Sequence, residues 1–167
     1  MYVDEDAIIT DGTACVGGNT SSFAKVFQNV NAIEIDPSRF SYLKNNMSVL
    51  GLDHVSCQCG DVYDICQTSY QDVLFLDPPW GGPEYKQNQN IKLYLSNREL
   101  SEVCIDLSLY CKYIALKVPM NFKPDIFDHS VKNVLERVHY NTYLRKMHLI
   151  IYQCLNHPIV QELQTLL

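Results

Sequence analysis

The apolar run Val73-Leu74-Phe75-Leu76 is stopped by Asp77-Pro78-Pro79-Trp80-Gly81-Gly82-Pro83-Glu84-Tyr85, and that junction constrains the chain more than any other stretch. Four consecutive apolar residues read as a buried strand, and two successive prolines, with φ fixed and no N–H to offer a ladder, end it abruptly. The loop holds the Asp77 carboxylate and the carbonyls of Pro78 and Pro79 as a rigid cluster of acceptors beside the flat ring of Trp80. Such a cluster suits a planar base with an exocyclic amine. It is far richer than a turn closing a strand requires.

The preceding chain repeats the same construction. Residues 7–11 read as a short strand, and Gly12-Thr13-Ala14-Cys15-Val16-Gly17-Gly18-Asn19-Thr20 follows before Phe23, Val26 and Phe27 mark one face of a helix. Strand, glycine-rich turn and helix form the nucleotide-binding opening of doubly wound folds, although the dinucleotide pattern G-x-G-x-x-G is absent. A second strand over 31–36 contains Glu34 and ends at Asp36, acids able to accept from ribose hydroxyls, and Pro37 suits the first turn of the next helix. Phe40, Leu43, Met47 and Leu50 stripe that helix, and Gly51 ends it. Val55, Cys57 and Cys59 alternate along a third strand closed by Gly60-Asp61. Ligands of open α/β sheets sit beyond the carboxyl ends of the strands, so Asp11, Glu34, Asp61 and Asp77 are expected along one edge.

Beyond the proline loop, residues 86–90 are polar and read as a lid or a solvated loop. Ser96-Asn97-Arg98-Glu99 reads as a capping box for a helix that buries Leu100, Val103, Cys104 and Leu107. Residues 113–119 form a fifth strand, residues 134–144 and 147–154 alternate as an antiparallel pair, and Val160, Leu163 and Leu167 suggest a short terminal helix.

With 167 residues, 47% of them hydrophobic, one domain spanning 1–167 is expected, with its core over about 7–154 and a tail over 155–167. No apolar run approaches the ~18 residues of a membrane span, and the acidic start at Asp4-Glu5-Asp6 is unlike a secretory leader, so a soluble intracellular protein is expected. Seven cysteines, an odd number scattered through apolar segments, read as reduced buried thiols rather than a disulfide frame, and Cys57 and Cys59 lack a second pair at zinc spacing. The net charge of −6 argues against gripping a long phosphate backbone unaided. A small nucleotide, a nucleic-acid end, or a substrate delivered by another protein fits better.

Alternating strands and helices followed by an antiparallel pair resemble the class I S-adenosylmethionine-dependent methyltransferases. Gly17-Gly18-Asn19-Thr20 together with Pro78-Pro79-Trp80-Gly81-Gly82-Pro83 narrows the resemblance to the trimethylguanosine synthases, which methylate the guanine N2 of RNA caps. The resemblance covers about residues 7–154. It implies a Rossmann-like, mostly parallel seven-stranded sheet with a C-terminal antiparallel hairpin, S-adenosylmethionine as cofactor, and a 7-methylguanosine-capped RNA or cap nucleotide as substrate. A nuclear or cytoplasmic location, or a host cell for a viral protein, follows from that substrate.

The resemblance implies that the cofactor contacts Asp11, Gly12, Thr13, Ala14, Gly17, Asn19, Thr20, Glu34, Asp36, Asp61 and Asp77. The Gly12 to Gly18 loop would take the amino-acid end, Glu34 the ribose with Asp36 as second choice, and Asp61 the adenine amine. No metal is implied. Asp77 and the Pro78 carbonyl could accept both hydrogens of the N2 amine and aim its lone pair at the sulfonium methyl, so they are the catalytic pair. Trp80 could stack on the cationic 7-methylguanine, and Pro79, Pro83, Tyr85, Lys117 and Asn121 complete the expected substrate contacts.

Three departures accompany the resemblance. Cellular members carry serine at the position of Asp77; they carry arginine, serving cap phosphates, where Met120 follows Pro119; and a helical extension precedes their first strand. Lys117 or Lys123 could supply the phosphate-binding charge. A partner protein or a separate segment could complete the pocket. The competing functions are an adenine-N6 or internal guanine-N2 methyltransferase of nucleic acid, favoured by Asp77, and a catalytically silent cap- or cofactor-binding subunit.

Overall fold

The computed structural model describes residues 3–87, 89–141 and 146–156. The chain is mixed α/β, and the seven strands of its sheet divide between two compact units, Met1–Leu76 and Asp77–Leu167.

In the first unit four parallel strands lie in the order β3-β2-β1-β4: β1 (Ile8–Asp11), β2 (Asn29–Glu34), β3 (Ser56–Cys59) and β4 (Gln71–Leu76). Helices α1 (Gly18–Phe23), α2 (Pro37–Val49) and α3 (Val62–Cys66) follow the first three strands. Strand β2 begins and ends two residues earlier than the hydrophobic pattern predicts, because Asn29 pairs with Ile8 and Asp36 leaves the strand to cap α2. Leu43 and Met47 of α2 pack with Val30, Ala32 and Val55, and Phe23, Phe27 and Phe40 close over them. The expected face of α1 is corrected: the helix stops at Phe23, and Val26 lies beyond it with 58% of its surface exposed. At the end of α2, Gly51 takes φ 68 and Leu52 N–H reaches back to the Met47 carbonyl, the glycine-dependent stop that the sequence predicts.

In the second unit β7 (Cys111–Pro119), β8 (Leu135–Asn141) and β9 (Met147–Cys154) lie in the order β7-β9-β8; the antiparallel β8/β9 pair is the one the alternating patterns predict, and β9 also pairs antiparallel with β7. The residues joining β8 to β9 at 142–145, and the terminal helix expected around Val160, lie outside the described residues. Leu100, Val103, Cys104 and Leu107 are buried on α4 (Leu100–Leu107), as expected, but the capping box is not formed. Ser96 and Asn97 instead take positive φ (54 and 59) as the two-residue turn between β5 (Tyr94–Leu95) and β6 (Arg98–Glu99). Two left-handed residues in succession make the tight turn that matches strand twist, and Glu99 caps α4 without a side-chain bond. Helix α5 (Pro124–Val131), which the sequence reading does not anticipate, buries Phe127 and Val131. Phe127 packs on Tyr152 at 5.2 Å, and the Tyr152 hydroxyl donates to Asp128 at 2.8 Å.

The cysteines are free thiols, but only Cys66, Cys104, Cys111 and Cys154 are buried, whereas Cys15 and Cys59 are exposed because both lie at loop or strand edges. Burial pushes the Cys66 thiol up to about 12 and raises Cys104 as well. A short pulse of maleimide on the folded protein is therefore expected to modify Cys15 and Cys59 and to spare the four buried thiols, read by peptide mass spectrometry. Modification of Cys66 or Cys104 at the same rate as Cys59 would contradict this packing. Among the described residues, no helix is long and apolar enough to cross a membrane.

Candidate active site

Because β1 to β4 are parallel, their carboxyl ends share one edge. Asp11 and Glu34 are the last residues of β1 and β2, Asp61 follows Cys59 by two, and Asp77 comes directly after Leu76 in the chain. Asp11 is fully buried. One of its oxygens accepts from the Thr13 N–H at 3.3 Å and the other from the Thr20 hydroxyl at 2.6 Å, so it ties both ends of the glycine-rich loop. Asp11 and Thr20, both buried, thus shape the loop from beneath. Within the loop Cys15 takes φ 52 and Gly17 φ 97. The positive φ favours glycine there, and a Cβ on Gly17 would also have to displace the end of the Met47 side chain, 2.5 Å away.

Glu34, only 6% exposed, accepts from the Cys15 N–H through one oxygen and from the Asp36 N–H through the other, each at 2.9 Å. The Arg39 Nε lies 3.6 Å away. A carboxylate offers about four lone-pair directions, so these two bonds leave capacity for two hydroxyls. Asp36 is half-buried and accepts from the Arg39 N–H at 2.8 Å, and Asp61 caps α3 by accepting from the Tyr63 N–H at 2.9 Å. Gly18 and Asn19 open α1, where the first main-chain N–H groups of a helix have no partner within it. Acceptors for hydroxyls and an amine, with main-chain donors beside them, fit a nucleoside carrying an amino-acid tail.

The second unit carries the proline loop. Asp77 Oδ2 receives the Lys117 ammonium at 2.6 Å. Pro78 is buried, Pro79 is exposed, and Gly81 and Gly82 take φ 88 and 75 before Pro83 opens a 3-10 turn, Pro83–Gln87. Those glycines are required by conformation alone, since a Cβ on either would meet nothing within 4 Å. Trp80 is half-buried, not the exposed ring its glycine neighbours suggest. The Tyr85 ring meets it edge to face at 5.5 Å, and its indole nitrogen is buried with no hydrogen-bond partner among the described residues. Asn121 Nδ2 donates to the Tyr85 carbonyl at 2.7 Å. Lys117 and Asn121, at the end of β7 and just past it, therefore hold Asp77 and Tyr85, the two ends of the loop.

The sequence profile of the RNA cap guanine-N2 methyltransferases matches residues 6–156. The chain belongs to that family. It is 38% identical over 131 residues to an uncharacterized protein of Acanthamoeba polyphaga mimivirus, covering 75% of this chain and 51% of that protein. It is 31% identical over 132 residues to the trimethylguanosine synthase of Schizosaccharomyces pombe, covering 72% and 53%. The chain thus spans about half the length of the curated relatives it matches. Among solved structures it resembles an rRNA methylase from Streptococcus thermophilus (TM-score 0.62, 12% identity, 91% and 89% of the two chains). It also resembles the fibrillarin pre-rRNA processing protein of Methanococcus jannaschii (TM-score 0.65, 14% identity, 92% and 69%). These likenesses show the Rossmann-like class I methyltransferase fold. Family and fold together imply S-adenosylmethionine as the methyl donor.

Within that family frame, Lys117 pairs with the Asp77 carboxylate, and Met120 is exposed. Lys123 stands at the start of α5, beside a cavity of about 390 Å³ lined also by Leu93, Leu100 and Phe127. Sequence reasoning misses the Cys15 and Asp36 N–H groups on Glu34, because main-chain donors leave no residue signature. It also misses the Asp77 partner, for which a lysine inside an apolar strand is the available signal.

Proposed function

We propose that the chain methylates the exocyclic N2 of 7-methylguanosine at an RNA cap, with S-adenosylmethionine as donor. The observation that carries this reading is the proline-fixed Asp77 carboxylate at the start of a loop whose indole and phenol rings, Trp80 and Tyr85, pack together. S-adenosylmethionine supplies an electrophilic methyl group on a sulfonium. Asp77 and the Pro78 carbonyl accept the two N2 hydrogens, which weakens conjugation of the amine with the ring and leaves its lone pair free to attack. Glu34 takes the ribose hydroxyls, Asp36 lies next in line for them, and Asp61 takes the adenine amine. The main chain from Gly12 through Ala14 to Gly17, with Thr13 and Asn19, takes the amino-acid end. Pro79, Pro83 and Tyr85 line the base.

Trp80 provides the base platform. A buried indole N–H without an acceptor costs about 1–3 kcal/mol, a cost more readily understood at a working position than in a core. Only the cationic base gains attraction to the ring's negative face, by about 0.5–2 kcal/mol. Trp80→Ala is therefore expected to weaken 7-methylguanosine diphosphate by about 2- to 30-fold more than guanosine diphosphate, with Trp80→Phe keeping part of the difference. Equal losses for both nucleotides, read by fluorescence or calorimetry, would make the ring a general purine platform. The matching activity test is labelled-methyl transfer to 7-methylguanosine diphosphate, guanosine diphosphate and adenosine side by side. Asp77 favours a second reading, a methyltransferase acting on adenine N6 or an internal guanine N2, and transfer to those acceptors alone would support it.

A further inference from the structure

We infer that Lys117 is a positioning residue for methyl transfer: its ammonium holds the Asp77 carboxylate so that the remaining lone pairs of that group face the acceptor amine. The inference rests on the function proposed above. It starts from a difference among the acids of the strand ends. Asp11 accepts from the N–H of Thr13, Asp61 from that of Tyr63, and Asp36 from that of Arg39, all main-chain donors two or three residues downstream. An aspartate in a loop ordinarily finds such a donor. Pro78 and Pro79 have no N–H, so the two positions directly after Asp77 offer it none. Asp77 is held from another strand, with the Lys117 Nζ of β7 2.6 Å from its Oδ2.

Lys117 is also costly where it stands. From Ile114 to Pro119 every other residue of β7 is buried, and Lys117 alone is intermediate. With side-chain exposures of 24% for Lys117 and 23% for Asp77, the pair is largely withdrawn from water, where an ion pair is commonly no more stable than an apolar replacement of similar volume. Packing alone would thus be served by an aliphatic side chain. What the ion pair supplies and an aliphatic residue cannot is direction: one oxygen is fixed by a charge-assisted bond, and the loop is fixed again at Tyr85 by Asn121.

The test is a double-mutant cycle on Asp77→Asn and Lys117→Met, with Lys117→Arg as the conservative variant, run on whichever acceptor the wild-type protein methylates. Lys117→Met is expected to lower kcat on the order of 10²-fold, the penalty of a catalytic group displaced by about an ångström, with KM for the acceptor and the Kd for S-adenosylmethionine changed little. Lys117→Arg should recover part of kcat. The double variant should be no slower than Asp77→Asn alone, since Lys117 acts through Asp77. Circular dichroism and the thermal midpoint check that each variant is folded.

Three results would overturn the inference. They are additive losses in the cycle, a rise in KM for 7-methylguanosine diphosphate that is absent for the nucleoside, and unchanged kcat in a folded Lys117→Met protein. The second would return Lys117 to phosphate binding. Should wild-type protein methylate an acceptor other than 7-methylguanosine, the proposed function fails while the cycle still decides whether Lys117 works through Asp77.

Discussion

Asp77→Ala is expected to reduce turnover by about 10³-fold or more while the protein stays folded and binds S-adenosylmethionine within a few-fold of the wild type. In the proposed reaction the carboxylate acts on the reacting amine, so its loss falls on the transition state and hence on kcat. The substitution also strands the Lys117 ammonium in a mostly buried strand position, where an unpaired charge is more costly than an intact pair. Some loss of stability should therefore accompany the loss of activity, and Asp77→Ala combined with Lys117→Met should regain the stability without regaining the activity. Stopped-time transfer assays and a thermal melt separate the two effects. Turnover within tenfold of wild type would remove Asp77 from the chemistry.

Glu34→Ala is expected to weaken S-adenosylmethionine by at least about 10²-fold, because hydrogen bonds to a charged group contribute about 1.5–3 kcal/mol each and the ribose offers two hydroxyls. The geometry adds a second consequence that a purely ligand-facing acid would not have. Glu34 accepts from the Cys15 and Asp36 N–H groups, so alanine leaves two amides in need of water and frees the glycine-rich loop from the end of β2. The thermal midpoint should fall in the absence of cofactor, and Cys15, already exposed in that loop, should react faster with maleimide. Unchanged affinity by calorimetry would transfer the ribose role to Asp36.

Much of the framework is legible in the sequence because each parallel strand halts at or just before an acid or a glycine. Asp11, Glu34, Asp61 and Asp77 can be placed at strand ends by that rule alone. What the pattern does not carry is which of these acids is available to a ligand. Asp11 and Glu34 look alike in sequence, yet one is sealed beneath the loop by Thr13 and Thr20, while the other keeps lone pairs to offer. Main-chain donors decide the difference, and they are the same for every residue type.

The misreadings have local causes of the same sort. Ser96-Asn97-Arg98-Glu99 satisfies both a helix-capping pattern and a two-residue hairpin turn, and only the positive φ of Ser96 and Asn97 selects the hairpin. Helix α5 is short and begins at Pro124 directly after a strand and a turn, so its apolar spacing, Phe127 and Val131, covers barely one helical turn. Lys117 differs in that its signal is present. A lysine between Leu116 and Val118 in a buried strand calls for a partner, and no periodicity tells which carboxylate the fold will bring to it.

The most direct measurement is the position of the transferred methyl group. The chain is incubated with S-adenosylmethionine carrying a labelled methyl and with 7-methylguanosine diphosphate, and the product is digested to the nucleoside and resolved by mass spectrometry against synthetic standards. Label on N2, giving 2,7-dimethylguanosine or 2,2,7-trimethylguanosine, is the predicted result, and it should vanish with Asp77→Ala. Label confined to a ribose hydroxyl, or transfer to adenosine with none to 7-methylguanosine, would contradict the assignment of this loop to the cap guanine amine.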